Sequence, residues 1–362
     1  LNPKTVIRAS GGIYYSVSRF NPGTDGYAVA PSFSSVDGYS PAFRWDDGFP
    51  RNFQRPPLID PALLNGQNVT YLSPGITRLP QTLTWTVSVQ RQLAQTLALE
   101  ATYLGSHSTH LHDGDPGDLL NDKLGFPNVV DQRYLVLGNT LLQRITSGAA
   151  VAAGITAPYP GFETSRNNTV AQALRPFPQY LNISGGDGAG IARYNSLQVK
   201  LTKRYSGGLT LLAFYTWSKN LTDAEGGTYQ YPLNRRGELS VSFDGAPHTF
   251  VASAAYELPF GSGKRYLSSG ILAHVAGGWE ISGYQRAASG APLTITAGNN
   301  LSALGYPGKR ANYVGGQPIH LNSNPRDFDP AVNRMLNADA FSLPGVFEFG
   351  NTARVLDWAR GW

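Results

Sequence analysis

The chain has 362 residues, of which only 15% are charged, while 41 are Gly and 25 are Pro. Soluble domains usually carry about a quarter of their residues as Asp, Glu, Lys and Arg, so this turn-rich composition predicts a β protein of an unusual class. The absence of Cys excludes a disulfide scaffold, a thiol nucleophile and a Cys-ligated metal. No apolar run reaches the roughly 18 residues of a transmembrane helix. The net charge of +5 is scattered without a basic run, which argues against nucleic acid as a partner.

Alternation of apolar and polar residues with a period of two is the main structural signal along the chain. It begins at Thr5, with Ile7 and Ile13 on one face. It is clearest around Trp85, where odd-numbered residues are apolar and even-numbered residues are Thr, Ser and Gln. We predict seven strands, at residues 5–17, 81–93, 96–106, 194–204, 209–218, 249–258 and 279–287.

The predicted strands are long. The clearest one spans about a dozen residues, twice the average of about 5–6 residues for strands in soluble proteins. A strand of that length with one apolar face is typical of a tilted strand that crosses a membrane, which needs about 9–11 residues. The sequence therefore predicts an all-β fold, an antiparallel transmembrane β-barrel, with a soluble β-sandwich as the alternative.

The connections between these strands alternate in length. Residues 20–80, 107–193 and 219–248 form long segments, whereas 92–96 and 205–208 are short and 259–278 is intermediate. Outer-membrane barrels have short periplasmic turns and long outward loops. We therefore expect the three long segments on the extracellular side. Short helices are predicted within the connections, at residues 139–153, 167–174 and 270–275.

The two faces of the predicted strands differ in their aromatic and charged residues. Aromatic residues at or near strand ends lie on the apolar face, as in the interfacial girdles of membrane barrels, although core aromatics of a sandwich are the alternative: Trp85, Tyr103, Tyr215, Trp217, Tyr256 and Trp279. Charged residues on the opposite face are predicted to line a wet lumen or to contact a plug: Arg8, Glu100, Lys200, Arg204, Glu257, Glu280 and Arg286.

A group of His and Asp residues follows the third predicted strand: His107, His110, His112, Asp113 and Asp115. Such side chains bind metals, but their spacing matches no established zinc or calcium motif. We therefore interpret the segment as a polar loop and predict neither a metal site nor a cofactor, although the sequence leaves metal binding at this loop open.

Motifs for phosphate binding and catalysis are weak. The glycine-rich segment 185–190 is followed by a strand and by no Lys-Ser/Thr pair, so it predicts a flexible loop. No Gly-x-Ser-x-Gly nucleophile elbow occurs. We predict that the protein is not an enzyme, assign no catalytic residue and identify no ligand-binding residue.

Several segments carry a family resemblance when they are taken together. They are YNSLQVKLTKR (194–204), GLTLLAFYTWSK (208–219), ALRPFPQ (173–179), YELPFG (256–261), GGWEISG (277–283), SGAPLT (289–294) and the stretch 337–351 that ends in FGN. The combination is similar to TonB-dependent-receptor-like outer-membrane proteins of the Oar type, common in Acidobacteria, which carry an N-terminal carboxypeptidase-regulatory-like domain.

The resemblance implies a barrel of about 22 strands with an internal plug, energised by TonB through the periplasm. Seven strands cannot close such a barrel, so we expect residues 1–362 to be a partial barrel domain from its internal to late part. The plug, the TonB box and the regulatory-like domain are expected outside this chain. The implied partners are outer-membrane lipid, the TonB complex and an unidentified solute.

Three functions are compatible with the sequence. The leading hypothesis is an outer-membrane receptor that binds or imports a bulky solute with its loops at 20–80, 107–193 and 219–248. A barrel that serves as an adhesin or structural surface protein is the first alternative. A soluble secreted β protein is the second.

Overall fold

The computed structural model describes residues 2–16, 35, 38–48, 62, 64–70, 78–111, 128–184, 188–225, 230–231, 234–243, 245–298, 301–306, 310–321, 329 and 331–357. Its strands, numbered in chain order, are β1 (Thr5–Tyr15), β2 (Asn68–Thr70), β3 (Gln81–Ala94), β4 (Leu97–Leu111), β5 (Asn182–Ser184), β6 (Gly190–Ser206), β7 (Leu209–Thr222), β8 (Ser240–Val241), β9 (His248–Glu257), β10 (Glu280–Ala288), β11 (Asn312–Tyr313) and β12 (Phe341–Ser342).

The long strands form one antiparallel meander. Its order is β1-β3-β4-β6-β7-β9-β10, so each long strand pairs with the next long strand along the chain. The short strand β8 pairs with the last two residues of β7, beyond the part of β7 that pairs with β9. Small sheets form from β2 with β5 and from β11 with β12. All seven predicted strands are confirmed, and so is their antiparallel arrangement.

Three strands extend further than the sequence pattern indicates. The strand β4 continues to Leu111, β6 begins at Gly190 and β7 continues to Thr222, whereas the predicted strands end at residue 106, begin at residue 194 and end at residue 218. The backbone ladder does not require an apolar face, so it continues where the alternation in hydropathy has ended. The predicted loop at 107–193 is shorter than expected for this reason. Val17, the predicted end of the first strand, lies outside the described residues.

The sheet has two distinct ends. At one, which we call the turn end, β3 and β4 are joined by Gln95 and Thr96, and β6 and β7 by Gly207 and Gly208. The two glycines have φ angles of +61° and +79°, as a two-residue hairpin turn of type I′ requires. At the other, the loop end, the connections run over residues 16–80, 112–189 and 223–247. The third connection at the turn end, residues 258–279, is nearly as long as the connection over 223–247, so the predicted alternation in length holds for the first two pairs of connections and not for the last.

Helices are few and short. The α-helices are α1 (Gly148–Ala152), α2 (Val170–Ala173) and α3 (Ile271–Ala276), and the 3₁₀ helices are Trp45–Asp47, Gln132–Leu142, Phe162–Thr164, Arg235–Glu238, Leu301–Leu304 and Ala338–Ala340. The predicted segments at 139–153 and 167–174 contain α1 and α2, the segment at 270–275 overlaps α3, and the first segment also includes the end of the 3₁₀ helix Gln132–Leu142. Gly138, at φ 52°, interrupts the 3₁₀ helix, and Ser147 begins α1 by accepting a hydrogen bond from the Ala150 amide. Within the described residues no helix combines the length and the hydropathy needed to cross a membrane.

The buried hydrophobic core lies in the connections and not in the sheet. None of the seven long strands contributes to the buried hydrophobic side chains. We call the region that does so the loop cluster, and define it as the described parts of residues 128–184, 230–243, 301–306 and 345–357. Its core consists of Val129, Val130, Leu141, Ile145, Ala150, Phe162, Val170, Ala171, Leu301, Leu304, Tyr306 and Phe347.

Candidate functional site

One face of the sheet is apolar and exposed. In β3, Leu83, Trp85 and Val87 are exposed, whereas the Thr and Ser residues between them are half-buried. Exposed apolar side chains at every second position are unfavourable in water, so a whole face of them is typical of a surface that meets an apolar phase. We call this the apolar face and its opposite the polar face.

In-register pairing joins the apolar positions of separate strands into a continuous band. Since every pairing is antiparallel and in register, residues on one face of a strand stand beside residues on the same face of the next strand. One row crosses all seven long strands without a polar residue: Ile7, Val89, Ala101, Val199, Tyr215, Phe250 and Ala287.

Aromatic residues mark both margins of this band. Towards the loop end, Tyr103 and Trp217 lie in one row, both opposite Leu197. Towards the turn end, Tyr256 lies eight positions along β9 from His248, the partner of Trp217. That separation corresponds to about 27 Å along the strand. Because strands in such barrels are tilted, the spacing agrees with an apolar band about 25 Å tall between two girdles.

Trp85 has a second role on the apolar face. It stands opposite Gly105 in the neighbouring strand, and its indole covers that glycine so closely that a Cβ there would lie 2.3 Å from the ring. An aromatic ring over a cross-strand glycine shields the exposed backbone of the sheet. Gly105 therefore provides the space that this ring needs.

Comparison with known families gives a result that agrees with this geometry. The family model described as an outer membrane beta barrel domain matches residues 1–361 of the chain. The chain belongs to this family. Comparison with curated proteins and with solved structures gave no significant match. The fold is therefore an outer-membrane β-barrel, and the protein is located in the outer membrane.

The polar face of this barrel sheet carries charges of both signs. Glu100 stands directly opposite Lys200, whose Nζ lies 5.6 Å from the centre of the Phe214 ring. Arg8 donates a hydrogen bond from Nη1 to Gln90 Oε1 at 3.2 Å. The registers place all the predicted charged residues of the strands on this face. The prediction of a polar wall opposite the apolar band is therefore confirmed.

A groove of about 410 Å³ lies on the polar face near the turn end. It is open to solvent and crosses β1, β3, β4 and β6. Residues of both charge signs and uncharged polar residues line it, among them Gln90, Glu100, Lys200, Thr202 and Arg204. Such a surface can bind a polar solute or a polar protein segment through hydrogen bonds and ion pairs.

A group of polar side chains lies at the turn end. Glu257, at the end of β9, accepts a hydrogen bond from the Tyr205 hydroxyl and forms an ion pair with Lys264, whose Nζ is 2.6 Å away. The hydrogen bond to Glu257 raises the pKa of the Lys264 ammonium. Because Glu257 stands opposite Glu280 in the register, Lys264 also offsets a repulsive pair of carboxylates.

At the loop end, a buried ion pair joins distant parts of the chain. Glu238 accepts a hydrogen bond from Arg310, and both side chains are nearly inaccessible to solvent. The other Glu238 oxygen accepts the backbone amides of Gln230, at 3.3 Å, and Tyr231, at 3.1 Å. A buried carboxylate is tolerated only when it is paired and its remaining lone pairs are satisfied, as they are here.

Arg354 connects the C-terminal part of the loop cluster to the sheet. Its side chain is fully buried and donates to the backbone oxygens of Thr222 at 2.7 Å, Glu225 at 2.9 Å and Glu238 at 3.1 Å. Thr222 is the last residue of β7. Arg354 therefore holds residues 345–357 against the loop end of the barrel wall.

The ALRPFPQ segment contributes a half-buried cation to the loop cluster. Arg175 donates to the backbone oxygens of Leu181 and, at 3.3 Å, of Ala303. Gly305, at φ +92°, lies so close that a Cβ would approach the guanidinium carbon to 3.3 Å. Burial lowers the pKa of Arg175 to about 10, so the side chain remains largely charged near neutral pH.

The histidine segment does not form a metal site in the described part of the chain. His107 lies on the apolar face opposite Arg193, whereas His110 has a φ of +56° at a register shift of β4. His112, Asp113 and Asp115 lie outside the described residues. Among the residues that are described, no group of three or more His, Cys, Asp or Glu could hold a metal ion. Residues 185–187 of the glycine-rich segment also lie outside the described residues.

Sequence reasoning missed the residues that organise the loop cluster. Glu238 and Arg310 are separated by 72 positions, and Arg354 and Glu238 by 116. No local periodicity connects residues so far apart. The only signal was the family resemblance, since the segments SGAPLT and FGN both contribute here: Thr294 donates to the Arg354 oxygen at 3.4 Å, and the Gly350 amide donates to Gln230 at 3.1 Å.

Proposed function

We propose that this chain is the barrel part of a TonB-dependent-receptor-like transporter of the Oar type, which binds a bulky solute and passes it along the polar face. The observation that carries the proposal is the polar face itself. A barrel that only displays loops could fill its interior with apolar side chains, whereas this wall keeps Glu100, Lys200 and Arg204 beside an open groove.

The loop cluster supports the same proposal. It holds its own hydrophobic core and is tied to the end of β7 by Arg354, so it forms a fixed structure at one mouth of the wall. Binding residues are commonly placed on loops that a rigid scaffold positions. We therefore propose that solute first binds the loop cluster and then the polar face.

Energy coupling through TonB rests on the family resemblance of the sequence segments. The proposed partners are the TonB complex, which would act through parts of the protein outside this chain, and outer-membrane lipid around the apolar face. The proposal includes no catalytic step, cofactor or nucleic acid.

Uptake measurements with the full-length protein test this function. Cells with and without TonB would be given a size series of fluorescein-labelled maltodextrins and peptides, and uptake would be measured by flow cytometry. We expect TonB-dependent uptake of at least one probe. We expect a lower uptake for the Glu100→Gln, Lys200→Gln double variant and no change for Arg91→Gln, Lys203→Gln, which alters two charges on the apolar face.

Other outcomes would contradict the proposal in different ways. Uptake that is equal without TonB would indicate a passive pore. The absence of uptake for every probe, combined with increased binding of the cells to one another or to coated beads, would favour the adhesin.

A further inference from the structure

Charge is distributed unequally between the two faces of the barrel wall. The polar face carries Glu100, Glu257 and Glu280 together with several cations. The apolar positions of the seven long strands, all of which the structure describes, include no Asp or Glu. The residues on this face that can carry a charge near neutral pH are Lys, Arg or His: Arg91, His107, Arg193, Lys203, Lys219 and His248.

The four Lys and Arg residues of the apolar face lie near the ends of their own strands. Arg91, Lys203 and Lys219 each precede the last residue of their strand by three positions, and Arg193 follows the first residue of its strand by three. Arg193 and Lys219 lie beyond the row of Tyr103 and Trp217 towards the loop end, where the cost of a Lys or Arg on this face is lower than at the midplane of the bilayer.

The cations at the loop end form a compact group. Arg193 stands opposite His107, and Lys219 stands opposite Asn195. Arg193 and Lys219 are thus diagonal neighbours on adjacent strands, with about 7–8 Å between them. A phosphate group between two such side chains can accept hydrogen bonds from both. Asn195 also accepts a hydrogen bond from Tyr103 at 2.6 Å, which connects the group to the aromatic girdle.

The order of side chains along the wall matches the order of groups in a lipid. From the centre of the sheet towards the loop end, apolar residues come first, then Tyr103 and Trp217, then Asn195 with Lys219, and then Arg193. Acyl chains, the interfacial region and an anionic headgroup follow in the same order. The guanidinium of Arg193 is suited to phosphate because its N–H groups can bind two oxygens at once.

We propose that Arg193 and Lys219, with His107 and Asn195, form a site for the phosphate groups of lipid A in the outer leaflet of the outer membrane. This proposal is independent of solute transport. It requires that the loop end faces the cell exterior, as the long connections indicate.

An ion pair within the group does not oppose this site. Lys219 Nζ lies 3.7 Å from Asp357 Oδ2, and both side chains are substantially exposed. Exposed pairs of this kind contribute about 0–1 kcal/mol, so a phosphate group can share or replace the carboxylate. Asp357 belongs to the C-terminal segment that Arg354 anchors, and lipid binding at Lys219 would therefore occur next to the loop cluster.

Native mass spectrometry of the full-length protein in detergent tests the site, with diphosphoryl lipid A and its enzymatically dephosphorylated form as the two probes. We expect diphosphoryl lipid A to bind at least about tenfold more tightly than the dephosphorylated form, as loss of charge-assisted contacts predicts. We expect the Arg193→Gln, Lys219→Gln variant to lose that preference. Circular dichroism and heat-dependent gel mobility would show whether the variant is folded.

Two matched variants remove the same amount of charge elsewhere. Lys200→Gln, Arg204→Gln changes the polar face, and Arg91→Gln, Lys203→Gln changes the turn end of the apolar face. Both should keep the preference for diphosphoryl lipid A. An equal loss in all three variants would reduce the effect to net charge and overturn the proposal.

Two further results would also overturn it. A loss confined to the Arg91 and Lys203 variant would place lipid A at the wrong end of the wall. Displacement of bound lipid A by inorganic phosphate alone would indicate a phosphate site that does not select lipid.

One variant that exchanges the two cations tests the same positions. Retention of the preference for diphosphoryl lipid A in Arg193→Lys, Lys219→Arg would support binding by charge at these two positions.

Discussion

The barrel wall, which consists of β1, β3, β4, β6, β7, β9 and β10, and the loop cluster are stabilised by different interactions. In the wall, apolar side chains such as Val89 and Phe250 stay exposed, and backbone hydrogen bonds join the strands. In the loop cluster, apolar side chains such as Leu141 and Phe162 are almost fully buried, and buried ions are paired within the chain. The wall depends on its surroundings for its apolar contacts, whereas the loop cluster supplies its own.

This difference indicates how strongly each region constrains its sequence. A wall that faces a bilayer on one side and water on the other needs only an alternating pattern, which many sequences satisfy. The loop cluster needs particular residues at particular distances, because each buried polar atom must find a partner. Substitutions should therefore have different effects on stability in the wall and in the loop cluster.

The largest effect is expected at the buried ion pair of the loop cluster. In Glu238→Gln, Arg310 stays buried without a negative partner, which costs about 3–5 kcal/mol. The control is Asp131→Asn, because Asp131 and Arg133 are exposed and 3.9 Å apart, and such pairs contribute at most about 1 kcal/mol. Hydrogen exchange followed by mass spectrometry should show faster exchange in the loop cluster and unchanged exchange in β3 and β4. Equal protection in both variants would show that the buried pair does not stabilise the cluster.

A second comparison uses adjacent residues on opposite faces of β6. Val199→Arg places a charge in the middle of the apolar band and should destabilise the folded barrel in lipid by about 2–4 kcal/mol. Gln198→Arg, on the polar face, should be close to neutral. Urea unfolding of the full-length protein in lipid vesicles, followed by tryptophan fluorescence, measures both. A reversed order of the two effects would mean that the faces have been assigned the wrong way round.

A smaller effect is expected where Trp85 covers Gly105. In Gly105→Val the new side chain occupies the position of the indole ring, and overpacking of this kind costs about 1–3 kcal/mol. Gly283→Ala is the matched control on the same face, since a Cβ there has open space around it. A shift in fluorescence that disappears when Trp85 is replaced by Phe would identify the displaced ring, and identical stabilities for the two glycine variants would contradict this explanation.

The smallest effect concerns the alkaline stability of the loop cluster. Tyr306 donates a hydrogen bond to the Val130 oxygen at 2.7 Å, and burial raises the pKa of its hydroxyl above the ordinary value of 10.0. The unfolded chain loses this proton more readily, so the contribution is complete below about pH 10 and is lost as the pH rises from there towards the raised pKa.

Tyr306→Phe removes that dependence. We expect the loop cluster of the variant to lose less stability between neutral and strongly alkaline pH than the unmodified protein loses. Limited proteolysis across this range is the measurement, with the exposed Tyr39→Phe as the control. The same decline in the Phe variant would assign the alkaline sensitivity to another group.

Much of the wall could be predicted from the sequence because the information is local. Residues 82–90 alternate strictly, and the structure gives β3 almost the same bounds as the predicted strand at 81–93. The lengths of the strands were underestimated where the alternation ends, as at Leu111 and Gly190, because backbone pairing there continues without a hydropathy signal. The same alternation with a period of two predicted that Trp85, Tyr103 and Trp217 lie on the apolar face.

The sequence by itself determined the strands, their two faces, the two short turns and the barrel class, because each of these depends on neighbours a few residues apart. The tertiary structure decided what lies at the loop end. It brought Arg354 to Thr222 and Glu238 across more than a hundred positions, and it placed Arg193 and Lys219 side by side on adjacent strands. Contacts of this kind depend on how the chain returns to itself, and no local pattern in the residues records that path.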